Sequence, residues 1–167
     1  RHIAYITSMA LTTDYSTPDD FGLTPVAQRV GGMMQAFADA GVPFDPSLVQ
    51  VNALDEASIS RIVAALWQRP QPPTALVASD SVVAMWLLRE VTQRGLRIPA
   101  DLSFVMYDNF PWSEIVTPPL TVIAQPVYEM GREAARRLIA AIRGEAPGPV
   151  PRFDAHLMIR HSIAAPA

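Results

Sequence analysis

The stretch Pro73–Asn109, PTALVASDSVVAMWLLREVTQRGLRIPADLSFVMYDN, decides the fold. It opens with a short apolar run, Ala75–Ala78, that a polar break at Ser79-Asp80 brings to an end. A strongly apolar helix follows from Ser81 to Arg94, with Gly95 as its stop, and a second apolar run, Ser103–Tyr107, ends against Asp108. Strand, helix and strand in this order predict a parallel α/β sheet. Ligands of such sheets bind outside the carboxyl ends of the strands, where Ser79, Asp80 and Asp108 fall. Small-molecule recognition is therefore the leading expectation.

The same alternation extends in both directions. Towards the amino end, Ile3–Ser8 is a β-branched and aromatic run, followed by a long polar loop, Met9–Leu23, of the length typical of binding loops. Thr24-Pro25 supplies an N-cap and a proline at the first helical turn, and Gly41 marks the helix end. Between them Val26, Val30, Met33, Met34 and Phe37 recur at helical spacing. Leu48–Val51 reads as the second strand, ended by Asn52, and Asp55 caps a helix with Ile59, Ile62, Val63 and Leu66 on one face. Towards the carboxyl end, Thr121–Ala124 reads as a short strand and Pro126–Arg143 as a helix stopped by Gly144, its stripe formed by Val127, Met130, Ala134, Leu138 and Ile142. Phe153–Ile159 is the last predicted strand.

Composition narrows the function classes. The chain has 167 residues, half of them hydrophobic, and a net charge of −3, so it can bury a core without a basic nucleic-acid footprint. All basic residues are Arg and there is no Cys, which excludes disulfides, thiolate metal sites and a Cys nucleophile and fits a reducing compartment. No apolar run is long enough to span a membrane. His2, His156 and His161 lie away from the predicted rim and lack zinc-site spacing, and no G-x-S-x-G elbow occurs. Asp14, Asp19 and Asp20 are loop acids without metal-ligand spacing. Gly31-Gly32 matches no phosphate-binding motif and reads as a close-packing device. No catalytic site, metal or cofactor is expected, and the abrupt start at Arg1-His2-Ile3 reads as a piece of a longer protein.

The strand ends place Ser8, Asn52, Ser79, Asp80 and Asp108 on one rim. Each of these residue types also serves as a helix cap, and that reading stands beside ligand binding, above all for Asp80 and Asp55. Asp108 stands apart because no helix is predicted to begin after it, and its carboxylate can accept hydrogen bonds from a polyol or a nucleobase edge. Arg29 reads either as a surface cation or as a guanidinium reaching the rim. Tyr107, Phe110 and Trp112 read either as stacking groups or as core and interface aromatics.

Six stretches in order, RHIAYI, ADAGVPFDPSLV, PTALVASDSVVAM, GLRIPADLSFVMYDN, TPPLTVIAQPVYEMGREAARRLIAAIRGE and HLMIRHSIAAP, resemble the effector-binding domain of LacI/GalR-type bacterial transcriptional regulators. The resemblance implies a three-layer α/β/α subdomain of the periplasmic-binding-protein-like fold. It assigns residues 1–124 to the C-terminal subdomain, 125–144 to a helix crossing to an N-terminal subdomain, and 145–167 to a return strand and tail. It implies a cytoplasmic repressor whose small sugar-like or nucleobase-like effector is held in the cleft between subdomains. Operator DNA would be bound as a homodimer through a domain outside this chain, and no membrane is involved. Matched position by position, Arg29 and Asp108 take the places of the family's effector-contacting arginine and carboxylate. Ser79 stands where the family often has Asn, and Ala53 where many members place an aromatic. The apolar Ser81–Leu88 segment is expected at the dimer interface, and the stripe of the crossing helix is expected to be mobile, to pack on another copy or to dock elsewhere. A solute-binding protein serving a sugar transporter is the alternative, and a sugar- or nucleotide-processing enzyme the third reading.

Overall fold

The computed structural model describes residues 2–12 and 15–165, so Arg1 and Asp14 lie outside the described residues. Its centre is a six-stranded sheet in the order β2-β1-β3-β4-β5-β6. The strands are β1 (Ile3–Ile6), β2 (Val49–Gln50), β3 (Ala75–Ala78), β4 (Ser103–Tyr107), β5 (Thr121–Ala124) and β6 (His156–Met158). The first five are mutually parallel, and β6 runs antiparallel to β5. Reversal of β1's neighbours puts β2 on one side and β3 on the other, which opens a crevice at the carboxyl ends of these strands.

The helices cover the two faces unequally. On one face α2 (Glu56–Trp67) and α3 (Ser81–Gln93) bury Ile59, Val63, Leu66, Val83, Leu87 and Val91 against Ala4, Ile6, Leu76, Ala78, Phe104, Met106 and Val122. On the other, α1 (Pro25–Asp39) sets Val30 against Tyr5 and Val49, with a stacked Tyr15–Phe21 pair (centroids 5.1 Å apart) closing the edge. Alternation along β4 serves both faces: Phe104 and Met106 face α2 and α3, while Val105 and Tyr107 face the α1 side. The expected three-layer α/β/α arrangement is thus the observed one.

Local chemistry explains the boundaries. Thr24 Oγ1 accepts from the Ala27 amide and Asp55 Oδ1 from the Ser58 amide, satisfying the open N–H groups at the starts of α1 and α2. Gly95 (φ +70) follows α3 in the left-handed region that ends a helix at little cost. Three departures from the sequence reading stand out. A short helix α4 (Trp112–Ile115) follows Asp108 after all, started by Pro111. A short 3-10 turn, Pro18–Phe21, interrupts the segment read as a loop, and a second, Pro46–Leu48, takes the first residue of the segment read as the second strand. Gly31 and Gly32 do not serve close packing, since a Cβ at either would meet nothing within 4 Å.

Helix α5 (Val127–Ile142) leaves the sheet with most of its apolar stripe in solvent: Val127, Leu138 and Ile142 are 66, 63 and 77% exposed. Of the fates expected for this stripe, docking on the chain's own surface is therefore not what the structure shows. Helix α3, expected to be apolar all round, is mostly satisfied within the chain. Val83, Ala84 and Leu87 are buried and Trp86 and Leu88 pack on the core, which leaves Val82 and Met85 half exposed.

Candidate functional site

The carboxyl ends of the parallel strands carry a hydrogen-bonded chain of side chains. Asp80 begins it. Its Oδ1 accepts from the Val82 and Val83 amides (3.0 and 2.9 Å), which makes it the N-cap of α3, while Oδ2 accepts from the hydroxyls of Ser8 (3.1 Å) and Ser79 (2.8 Å). Capping and rim membership are thus the same fact for Asp80, whereas Asp55 is a cap alone. With their protons directed to Asp80, both hydroxyls keep acceptor lone pairs; Ser8 is exposed, whereas Ser79 is buried.

Arg29 joins this chain from α1. Its Nη1 donates to the Ser79 carbonyl (3.0 Å), and its guanidinium carbon lies 4.0 Å from the centroid of the Tyr107 ring. A cation over an aromatic face is held electrostatically by the ring quadrupole. Of the readings offered for Arg29, the rim-directed one describes its position, and the remaining guanidinium donors can meet ligand oxygens. Burial raises the Tyr107 phenol above its usual range while the Arg29 charge opposes the shift. Tyr107 is therefore a neutral platform.

Asp108 follows Tyr107 with φ +72, a left-handed conformation that Asp tolerates better than most side chains. Its Oδ1 accepts from Gln125 Nε2 at 2.6 Å, and its amide donates to the Ile123 carbonyl. One carboxylate oxygen is thus held by a donor from the end of β5, and Asp108 caps no helix. Gln125 escaped the sequence reading because a lone Gln after a strand carries no local signal.

Asn52 is placed differently. Its Nδ2 donates to the Leu11 carbonyl (2.9 Å) and its Oδ1 accepts from the Leu11 amide (3.0 Å), so the side chain pins the long loop after β1. It shares the rim with Ser8, Ser79 and Asp108 but is not joined to their hydrogen-bonded chain. Ala53 beside it is fully buried. Phe110 is 43% exposed, whereas Trp112, at the start of α4, packs on the core, so the core reading describes it.

Below the rim, on the α1 side, a cavity of about 380 Å³ is bounded by Arg29, Gly32, Val105, Tyr107 and Ile123 and floored by Tyr5. The Tyr5 hydroxyl is buried there beside the Arg29 guanidinium, without a partner at full hydrogen-bond geometry. Burial pushes its pKa up, neighbouring Tyr107 adds to this, and the charge and close approach of the Arg29 guanidinium oppose it. Among the described residues there is no group of three metal-ligating side chains. No helix among them is long and apolar enough to cross a membrane.

Residues 1–163 match the model of the periplasmic binding protein-like domain family. The chain is 37% identical over 127 residues to a "Probable opine utilization operon repressor" of Rhizobium rhizogenes, covering 76% of this chain and 64% of that protein. It is 36% identical over 138 residues to the HTH-type transcriptional repressor CytR of Escherichia coli K12, covering 82% of this chain and 40% of the repressor. A sugar-binding transcriptional regulator of the LacI family from Escherichia coli, solved with phosphate, superposes with a TM-score of 0.78 at 26% identity. That superposition covers 99% of this chain and 55% of the regulator. The chain thus spans about 40 to 64% of the length of these relatives.

Proposed function

Because the chain belongs to the periplasmic binding protein-like domain family, as the C-terminal part of a LacI/GalR-type effector domain, we propose that it senses a small effector for a DNA-binding repressor. The observation that carries this reading is the rim itself. Arg29, Ser79, Asp80 and Ser8 form one hydrogen-bonded series, Asp108 with Gln125 stands beside it, and all lie at the carboxyl ends of parallel strands. Cationic donors at one end and carboxylate and hydroxyl acceptors at the other suit a polyhydroxylated or nucleobase-like molecule. No buried aromatic stacks from position 53, so the flat face of a ligand would have to meet Phe110 or the missing half of the cleft.

The effector is gripped between this chain and a second subdomain that lies outside it, and α5 crosses to that subdomain, which accounts for its bare stripe. Arg29 and Asp108 contact the effector, Ser79 and Ser8 supply acceptors, and Asn52 supports the rim by holding the loop. Binding changes DNA affinity only to the extent that the effector prefers one subdomain arrangement, since equal affinity for both would shift nothing. The intact protein works in the cytoplasm as a homodimer on operator DNA, without a cofactor and without catalysing a reaction. Val82 and Met85 are the apolar residues of α3 left for a partner copy, so Met85→Glu is expected to lower the dimer fraction of the intact protein in sedimentation at micromolar concentration. An unchanged fraction would remove that face from the interface.

Similarity to proteins named as repressors favours this reading over the transporter alternative. The coding sequence upstream of Arg1 tests it. A helix-turn-helix segment followed by another α/β subdomain is expected. A basic leader with an apolar core would instead make this a secreted solute-binding protein and remove the DNA-related proposals.

A further inference from the structure

The residue just beyond β6 makes the densest set of long-range contacts to the loop that carries Asp108. Arg160 Nη1 donates to Ser113 Oγ (3.0 Å) and to the Leu120 carbonyl (2.9 Å). Its Nη2 donates to Asn109 Oδ1 (2.7 Å) and Glu114 Oε1 (2.6 Å), and its amide to Thr121 Oγ1 (3.0 Å). One guanidinium thus grips the first residue after Asp108, both polar side chains of α4 and the last residue before β5. Its side chain is only 13% exposed, and its Nη1 bonds to Ser113 and Leu120 are partly shielded from competing water, whereas the Nη2 bonds lie at the surface.

We propose that Arg160 is a positioning residue for the Asp108 end of the rim: it holds the β4–β5 loop so that the Asp108 carboxylate stays in register with Gln125. Three observations converge. Asp108 sits at φ +72, in the left-handed region, which Asp adopts more readily than most side chains but at a cost that a held loop offsets. Asn109, the next residue, has its side-chain oxygen bonded to Arg160. Ser113, fully buried, donates to the Phe110 carbonyl and accepts from Arg160, so α4 is tied to the same cation. The planar fork of Arg, with five donors in fixed directions, meets four acceptors at once, which the ammonium of Lys cannot do.

The placement also sets what Arg160 can report. It follows β6, the strand to which the chain returns after α5. A displacement of α5 would reach the rim through β6 and Arg160 in addition to the direct path from β5 through Gln125. This consequence for effector sensing rests on the function proposed above, whereas the positioning itself does not.

The test uses two variants of the chain and needs no effector. Arg160→Lys removes the fork and keeps the charge, and the Asn109→Ala/Glu114→Ala double variant removes both Nη2 partners at exposed positions, away from the sheet. Hydrogen exchange followed by mass spectrometry is expected to show amides of residues 109–116 exchanging at least about tenfold faster in both variants, with α2 and α3 unchanged. In parallel, the Gln125 side-chain amide protons, bonded to Asp108 in the native chain, are expected to shift towards free-amide values in NMR spectra. Native exchange rates with an unmoved Gln125 signal would overturn the proposal. So would an equal loss of protection across α2 and α3, which would make Arg160 a general support of the fold. Failure of an effector screen would leave these outcomes untouched, so the two readings fail separately.

Discussion

Tyr5 has the one buried side-chain polar atom left without a hydrogen-bond partner among the described residues. An unsatisfied buried hydroxyl costs free energy that its removal recovers, so Tyr5→Phe is expected to stabilise the chain by about 1 kcal/mol in urea denaturation. A loss of stability of similar size would show that the hydroxyl is held by the nearby Arg29 guanidinium. Asp101 is the opposite case. Arg97 donates to both of its oxygens, 2.8 Å each, and these bonds hold its pKa down at about 2. A carboxylate depressed in the folded state stabilises above its unfolded pKa of about 3.9, and that stabilisation disappears as pH falls through the folded value. The chain should therefore lose stability between about pH 4 and pH 2, and Asp101→Asn should flatten that part of the curve; an identical slope in the variant would exclude the pair as a contributor. At this scale Ser8, Ser79 and Asp108 are legible in sequence because strand ends announce themselves. Gln125 and Arg160 are not, because their partners Asp108 and Asn109 lie 17 and 51 residues away in the chain, and neither is Tyr5, whose burial is set by the fold.

Among the elements, β3, β4 and β5 are legible to the residue, since each is a short apolar run bounded by polar or proline-rich sequence. Helix α4 is not: Pro111 and Pro118-Pro119 mask four helical residues whose stability comes from Arg160 and the core rather than from propensity. The exposed stripe of α5 was legible as a face in search of a partner. Surface substitutions that break no contact change stability by less than about 0.5 kcal/mol, so Leu138→Lys with Ile142→Glu should leave the chain's unfolding midpoint nearly unchanged. The same pair should lower binding of an apolar dye, since it removes exposed hydrophobic surface. A loss of about 2 kcal/mol or more would mean that α5 packs on the chain in solution. Glu133, which accepts from Arg136 and from Arg137 along the helix, supports α5 by about 0.2–0.5 kcal/mol per pair.

For the whole molecule, the proposed two-subdomain cleft raises the question of how much recognition one half of it can provide. The rim described here offers one guanidinium, one held carboxylate and two serine hydroxyls, all on a single side of any ligand. A micromolar effector of the intact protein binds with about −8 kcal/mol, and if the two subdomains contribute comparably, this chain alone retains about −4 kcal/mol, a Kd of about 1 mM. The isolated chain is therefore expected to show weak, fast-exchanging shifts of the Arg29, Ser79 and Asp108 signals in NMR titrations with an effector identified on the intact protein. Arg29→Met and Asp108→Asn should each abolish those shifts while leaving the sheet signals in place. Submicromolar binding to the isolated chain would contradict the two-subdomain cleft, because a closed site would then have to exist within these 167 residues. Weak binding at the rim and tight binding by the intact protein would instead place the difference in closure, the step through which an effector favours one subdomain arrangement over the other.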